Sequence, residues 1–187
     1  MTQTSLFQGV QQGSSRTDGR EPWAEFSPCG RYRYALGWPT GLDNDRVLTC
    51  CAANPSKAGQ LLPNGTMRSD PTVSRMRNLA RALGFGWFWM VNARAFVATD
   101  PKDVPPDPEA IGADNDAWIR QAARKGELVV VAFGHLAGSR GPRVLELIRS
   151  VGKVPHALAL AKDGTPRHPR GVPASARPFP LEEVARG

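Results

Sequence analysis

Val47-Leu48-Thr49-Cys50-Cys51-Ala52-Ala53-Asn54-Pro55-Ser56 decides how this chain folds. The stretch is almost unbroken in its apolar character, is preceded by Asp43-Asn44-Asp45, and stops abruptly at Asn54-Pro55. A strand with one wet face alternates apolar and polar residues, whereas a run like this suits a strand buried on both faces, as in a parallel sheet. Pro55 also drives Asn54 away from the helical region, so the strand gives way to a turn.

Downstream of that strand, Asp70-Pro71-Thr72 opens a helix. Asp70 can accept the orphan N–H groups as N-cap, and Pro71 suits the first helical position. Val73, Met76, Leu79, Ala80 and Leu83 follow at helical spacing, and Gly84 ends the element. Trp87 to Phe96 is the next strand, followed by a Pro-rich connection over Thr99 to Pro108 and a helix over Glu109 to Lys125. Leu128 to Phe133 is a third apolar strand, Arg143 to Val151 an amphipathic helix, and Pro155 to Ala161 the last strand. Upstream, Arg31 to Trp38 alternates Tyr and Arg before the turn at Pro39-Thr40-Gly41, which reads as a strand at one edge. Strictly alternating strands and helices imply right-handed crossovers. The expected fold is therefore α/β: a three-layer α/β/α sandwich with a four-stranded parallel sheet, plus the N-terminal edge strand.

The chain of 187 residues fits one domain, expected over residues 23–187. The start, Met1 to Gly19, is rich in Gln, Ser, Thr and Gly, and residues 1–22 read as a disordered lead. That lead lacks the basic-then-apolar pattern of a secretory signal, and no stretch is apolar enough to span a membrane. A cytoplasmic location is expected. Cys29, Cys50 and Cys51 are odd in number and poorly spaced, which argues against a disulfide framework or a Cys-held metal. The adjacent pair reads as packing residues. His135, His156 and His168 lack metal-ligand spacing, so neither a metal ion nor a cofactor is expected.

The formal charge is +7, with 24 Lys plus Arg against 17 Asp plus Glu. Arginine spread along the chain suits bidentate phosphate contact and raises encounter rates with nucleic acid. It equally suits a soluble protein that uses Arg freely. No phosphate-binding glycine loop or G-x-G-x-x-G is present, which weakens nucleoside-triphosphate and dinucleotide readings. No G-x-S-x-G elbow points to an α/β-hydrolase.

Ligands of open α/β sheets bind beyond the carboxyl ends of the strands. The polar residues fall there: Asn54-Pro55-Ser56-Lys57 after the first core strand, Asn92-Ala93-Arg94 on the second, Gly134-His135 after the third, and Arg167-His168-Pro169 beyond the fourth. Each has a plainer reading as well. Asn-Pro starts turns, Asp70 is an N-cap, and His135 and His168 suit exposed loops. Trp87, Phe88 and Trp89 read as core, while Trp38 and Trp118 read as core or as a stacking surface for a base.

These residues resemble a domain-of-unknown-function family of small bacterial and phage proteins. The shared features, in order from about Arg31 to Pro169, are Arg31-Tyr32-Arg33-Tyr34-Ala35-Leu36, Asn54-Pro55-Ser56, Asp70-Pro71-Thr72, Asn92, the Gly-x-x-Asn-Asp of Gly112 to Asp116, and the Gly-x-Pro-x-His-Pro of Gly164 to Pro169. The chain departs from the family pattern at Lys57-Ala58-Gly59, where Thr-Ala-Asp is typical, and at Ala132-Phe133-Gly134, where Trp-Gly is common. The layout in turn distantly resembles the uracil-DNA glycosylase superfamily, with Asn54-Pro55 and His168-Pro169 in the places of its two motifs. The segment from Val91-Asn92-Ala93-Arg94 to Asp100-Pro101 looks like the Asn, Arg and Asp-Pro stretch found there.

That resemblance implies hydrolysis of an N-glycosidic bond to a base, modified or unmodified, in nucleic acid. Asn54 would orient the attacking water and His168 would stabilise the leaving base, with Asp70 a candidate general base. Ser56, Lys57, Asn92, Arg94, His135 and Arg167 would hold the nucleic acid and its phosphates. DNA rather than RNA is the implied partner, with a free nucleotide as the alternative, and the protein is expected to act as a monomer. Two other readings stay open: a non-catalytic nucleic-acid or nucleotide-binding module of the same fold, and a phage or defence enzyme that processes nucleotides.

Overall fold

The computed structural model describes residues 10–12 and 20–181. Its strands are β1 (Val10–Gln12), β2 (Trp23–Phe26), β3 (Arg33–Pro39), β4 (Val47–Ala52), β5 (Trp87–Asn92), β6 (Leu128–Val131), β7 (Pro155–Ala157) and β8 (Phe179–Pro180). Its helices are α1 (Pro71–Ala82), α2 (Asn115–Lys125) and α3 (Arg140–Arg149). All eight strands join one mixed sheet in the order β1-β2-β3-β5-β4-β6-β7-β8. Neighbours within the stretch β5-β4-β6-β7 pair in parallel. The remaining pairings, β1–β2, β2–β3, β3–β5 and β7–β8, are antiparallel.

The stretch quoted first, β4, sits in the middle of the parallel strands, and all six of its residues are buried. Its lack of alternation follows from a core on each face. Leu48, Cys50 and Ala52 pack with Val73, Met76 and Ala80 of α1. Cys51 packs with Trp118 and Ile119 of α2 and with Val144, Leu147 and Ile148 of α3. Cys50 and Cys51 are free, fully buried thiols.

Helix α1 forms where the local signals put it. Asp70 accepts from the Val73 N–H at 2.8 Å, and Pro71 is the first helical residue. Helix α2 starts later than its apolar spacing suggests, at Asn115 instead of Glu109. Gly112 takes φ +81° just before it, where an added Cβ would lie 2.9 Å from the Tyr32 ring, so the chain turns there and the helix begins beyond it. The strands also end earlier than the apolar runs do, β5 at Asn92 and β7 at Ala157.

The expected edge position of the Tyr/Arg strand is corrected. Strand β3 lies inside the sheet between β2 and β5, and all seven of its residues are buried. The segment Trp23–Phe26 pairs along its outer side, with Val10–Gln12 beyond. The rest of the lead expected over residues 1–22 falls almost wholly outside the described residues. Among the described residues, no helix is long and apolar enough to cross a membrane.

Candidate functional site

From β4 the chain passes through α1 to β5 on one side, then through α2 to β6 on the other. Such a reversal opens a crevice at the carboxyl ends of the strands. The register keeps those ends level, with Ala52 opposite Asn92 and Cys51 opposite Val131. A cavity of about 270 Å³ lies at this rim, lined by Arg33, Asn54, Ser56, Asp70, Asn92 and His168 among others. Five of the nine residues singled out in the sequence therefore meet in one place, and Arg33 joins them unannounced.

Arg33 is fully buried, yet among the described residues no carboxylate bonds to it. Its guanidinium donates to the Ala58 carbonyl at 2.8 Å and to Asn92 Oδ1 at 2.8 Å, and its Nε has no partner. Gly59, at φ +89°, makes the turn that carries the Ala58 carbonyl there, and a Cβ on it would lie 2.9 Å from Ala24 and 3.4 Å from the Arg33 side chain. Burial pulls the Arg33 pKa down to about 10, against the charge of nearby Asp70, so it remains a cation at neutral pH. An arginine can only donate, so the Asn92 atom facing it must be the oxygen. Asn92 Nδ2 is thereby turned away and is buried without a partner.

Asn54 is held the opposite way round. Its Nδ2 donates to the carbonyls of Ala98 at 3.0 Å and Pro55 at 3.4 Å, leaving Oδ1 as the free end. Ser56 Oγ donates to Asp70 Oδ2 at 2.6 Å, while Asp70 Oδ1 caps α1. The Asp70 carboxylate is thus both a cap and a part of the cavity wall.

His168 precedes a single 3-10 turn and accepts the Arg170 N–H on Nδ1 at 3.3 Å. That bond leaves the proton of the neutral ring on Nε2. Burial, and then the charge of Arg170, lower the His168 pKa below the ordinary histidine range, with Asp70 acting in the other direction. At neutral pH the ring is an uncharged N–H donor.

The other four candidates lie outside this cavity. Arg94 is committed elsewhere: Nε and NH2 bind Asp107 at 2.8 and 3.0 Å, and NH1 binds the carbonyls of Leu136 and Ala137. It ties the strand end to the Pro-rich connection instead of offering a free phosphate clamp, though it lines a neighbouring space of about 220 Å³ with Asn54. His135 and Arg167 line an adjoining groove of about 650 Å³, which meets the cavity at Leu136, His168 and Arg170. His135 is exposed and lies 3.5 Å from Asp163. Lys57 is exposed and lines none of these spaces. Trp38 and Trp118 are core residues, not stacking surfaces.

Gly112 to Asp116, a motif without a role in the sequence, fastens the end of β5. Asn115 Nδ2 donates to the carbonyls of Asn92 and Ala93, each at 3.0 Å. Asp116 pairs with buried Arg140, whose Nε donates to the same Ala93 carbonyl at 3.0 Å. Arg33, Arg140 and Arg170 are the residues that sequence reasoning passed over. Only the Arg-Tyr alternation hinted at the first of them.

Fold and site together define a mixed α/β protein with a polar cavity at the carboxyl ends of its parallel strands. The chain belongs to DUF1643, a family described as protein of unknown function, whose model matches residues 32–170. That span includes every residue lining the cavity. No curated protein and no solved structure shows a significant match.

Proposed function

We propose that this protein hydrolyses the N-glycosidic bond of a base in nucleic acid, DNA foremost, as a uracil-DNA-glycosylase-like three-layer sandwich. The observation that carries this reading is one cavity lined both by Asn54, with its carbonyl free, and by His168, with its proton on Nε2. Asn54 Oδ1 accepts from a water and aims it at C1′ of a nucleotide whose base has left the stack. The water oxygen bonds to C1′ as the C1′–N bond breaks, and the electron pair stays on the base. His168 Nε2–H donates to that developing anion, and the water's proton passes to Asp70.

Base release from a panel of modified oligonucleotides tests the reading. Asn54→Ala and His168→Ala, made separately, should each lower the release rate about 100-fold or more, the usual effect of losing one positioned donor or orienting group. If both variants release base at the wild-type rate, the assignment is wrong. A second reading, a non-catalytic binding module, is favoured by Asp70 alone, since both of its oxygens already accept hydrogen bonds. Tight oligonucleotide binding with no base release from any substrate would select it.

A further inference from the structure

Leu61-Leu62-Pro63-Asn64-Gly65-Thr66-Met67-Arg68 and Leu160-Ala161-Lys162-Asp163-Gly164-Thr165-Pro166-Arg167 share the pattern Leu-x-x-Asn/Asp-Gly-Thr-x-Arg. The first stretch follows β4 and the second follows β7, and β6 lies between those two strands. Each folds into a small arm closed by the same backbone bonds. The Leu62 N–H donates to the Thr66 carbonyl at 2.8 Å, and the Ala161 N–H to the Thr165 carbonyl at 2.8 Å. At the base, the Arg68 N–H donates to the Gln60 carbonyl at 2.8 Å and the Arg167 N–H to the Ala159 carbonyl at 2.9 Å. Asn64 and Asp163 each accept the N–H of the threonine two residues on, and Gly65 and Gly164 turn at φ +76° and +82°.

Turn chemistry accounts for the Asn/Asp-Gly-Thr of each arm. It does not call for the residues around it. Leu61 and Leu160 are 44% and 40% exposed, each bridged to a buried residue, Met67 and Pro166. Arg68 and Arg167 are exposed, and among the described residues neither side chain has a hydrogen bond or ion pair. No acidic residue stands in 57–69 to neutralise Lys57 and Arg68. Each arm then delivers the chain to a capping residue of the cavity wall that is followed by proline. Arg68 stands two residues before Asp70, and Arg167 one before His168. At 3.8 Å per residue, the two arginine backbones lie within about 8 Å of those residues.

We propose that the two arms are the halves of one grip on single-stranded nucleic acid. Arg68 binds a phosphate on one side of the nucleotide held between Asp70 and His168, and Arg167 binds a phosphate on the other. A single strand supplies both partners the arms lack, phosphate oxygens for the guanidinium forks and open base faces for the leucines. This inference rests on the proposal that nucleic acid is the substrate, and it adds how the strand is held.

Fluorescence anisotropy of a labelled single-stranded DNA, titrated over a range of potassium chloride, tests it without reference to hydrolysis. Arg68→Gln and Arg167→Gln should each lower the slope of log K on log salt by about 0.7, and the double variant by about 1.4. Arg124→Gln, exposed on α2 and outside both arms, should leave the slope unchanged. All three positions are exposed, and circular dichroism checks that the variants are folded. An unchanged slope in either arm variant, an equal fall in Arg124→Gln, or no binding of the oligonucleotide would each overturn the proposal. Slopes that depend on both arms, in a protein that releases no base, would leave the grip standing and remove the hydrolytic reading. Base release with slopes indifferent to both arginines would do the reverse.

Discussion

Asn54, Asn92 and Asn115 carry the same side chain into three different settings. Asn54 has its amide pinned by carbonyls and leaves an oxygen, whereas Asn92 has its oxygen pinned by Arg33 and leaves an amide. Asn115 spends its amide on the backbone of β5 and leaves Oδ1 buried without a partner. Neighbouring groups, not residue type, thus decide which end of each amide is left without a partner. The cysteines divide the same way. Burial pushes the Cys50 thiol up and Cys51 up to about 12, so both stay protonated. Exposed Cys29 is pulled down to about 7, first by a hydrogen bond with Ser27 and then by the Arg31 backbone. Iodoacetamide at pH 7.5 should label Cys29 alone in the native protein, at a rate that falls as pH drops through about 7. Cys50 and Cys51 should label only in denaturant, and mass spectrometry of the native protein showing more than one adduct would contradict the assignment.

At the scale of elements, the start of α2 does more for the site than its distance suggests. Asn115, Asp116 and Arg140 together hold the carbonyls of Asn92 and Ala93, and so fix where β5 stops. Arg140→Ala removes the charged bonds to Asp116 and to the Ala93 carbonyl and leaves Asp116 its contact with Arg143 at 3.6 Å, and losing hydrogen bonds to a charged group costs about 1.5–3 kcal/mol. Urea unfolding should show a lower midpoint of matching size with an unchanged slope, and an unshifted midpoint would count against the clamp. This element also marks where the sequence ceases to be readable. Helix α1 was legible because Asp70 and Pro71 act within one turn of the residues they cap. The position of β3 was not, because it depends on pairing with Trp23–Phe26, which has no strong pattern of its own. On an edge strand the Arg31 and Arg33 face reads as solvent. Inside the sheet it buries Arg33 against Asn92, 59 residues away, and the cavity wall follows from that contact. The rim itself was legible because it needs only strand order, while the tie of Arg94 to Asp107 was not, because it crosses an irregular loop.

At the scale of the whole molecule, the +7 charge matters by where its cations gather. Lys162, Arg167 and Arg170 all line the 650 Å³ groove, which no carboxylate lines, and it runs into the cavity at His168 and Arg170. Leu136 and Leu160, both exposed, line the same groove. A single strand offers phosphates and base faces side by side, which suits such a mixed lining better than a duplex does. Under the proposed function this groove carries the phosphates flanking the base in the cavity. Binding of a short single-stranded oligonucleotide should then weaken steeply with salt, at about 0.7 in log K per log salt for each phosphate contact. Replacing Lys162, Arg167 and Arg170 together by Gln should reduce that slope by about 2. Parallel salt plots for wild type and variant would move the phosphate track to another face of the protein.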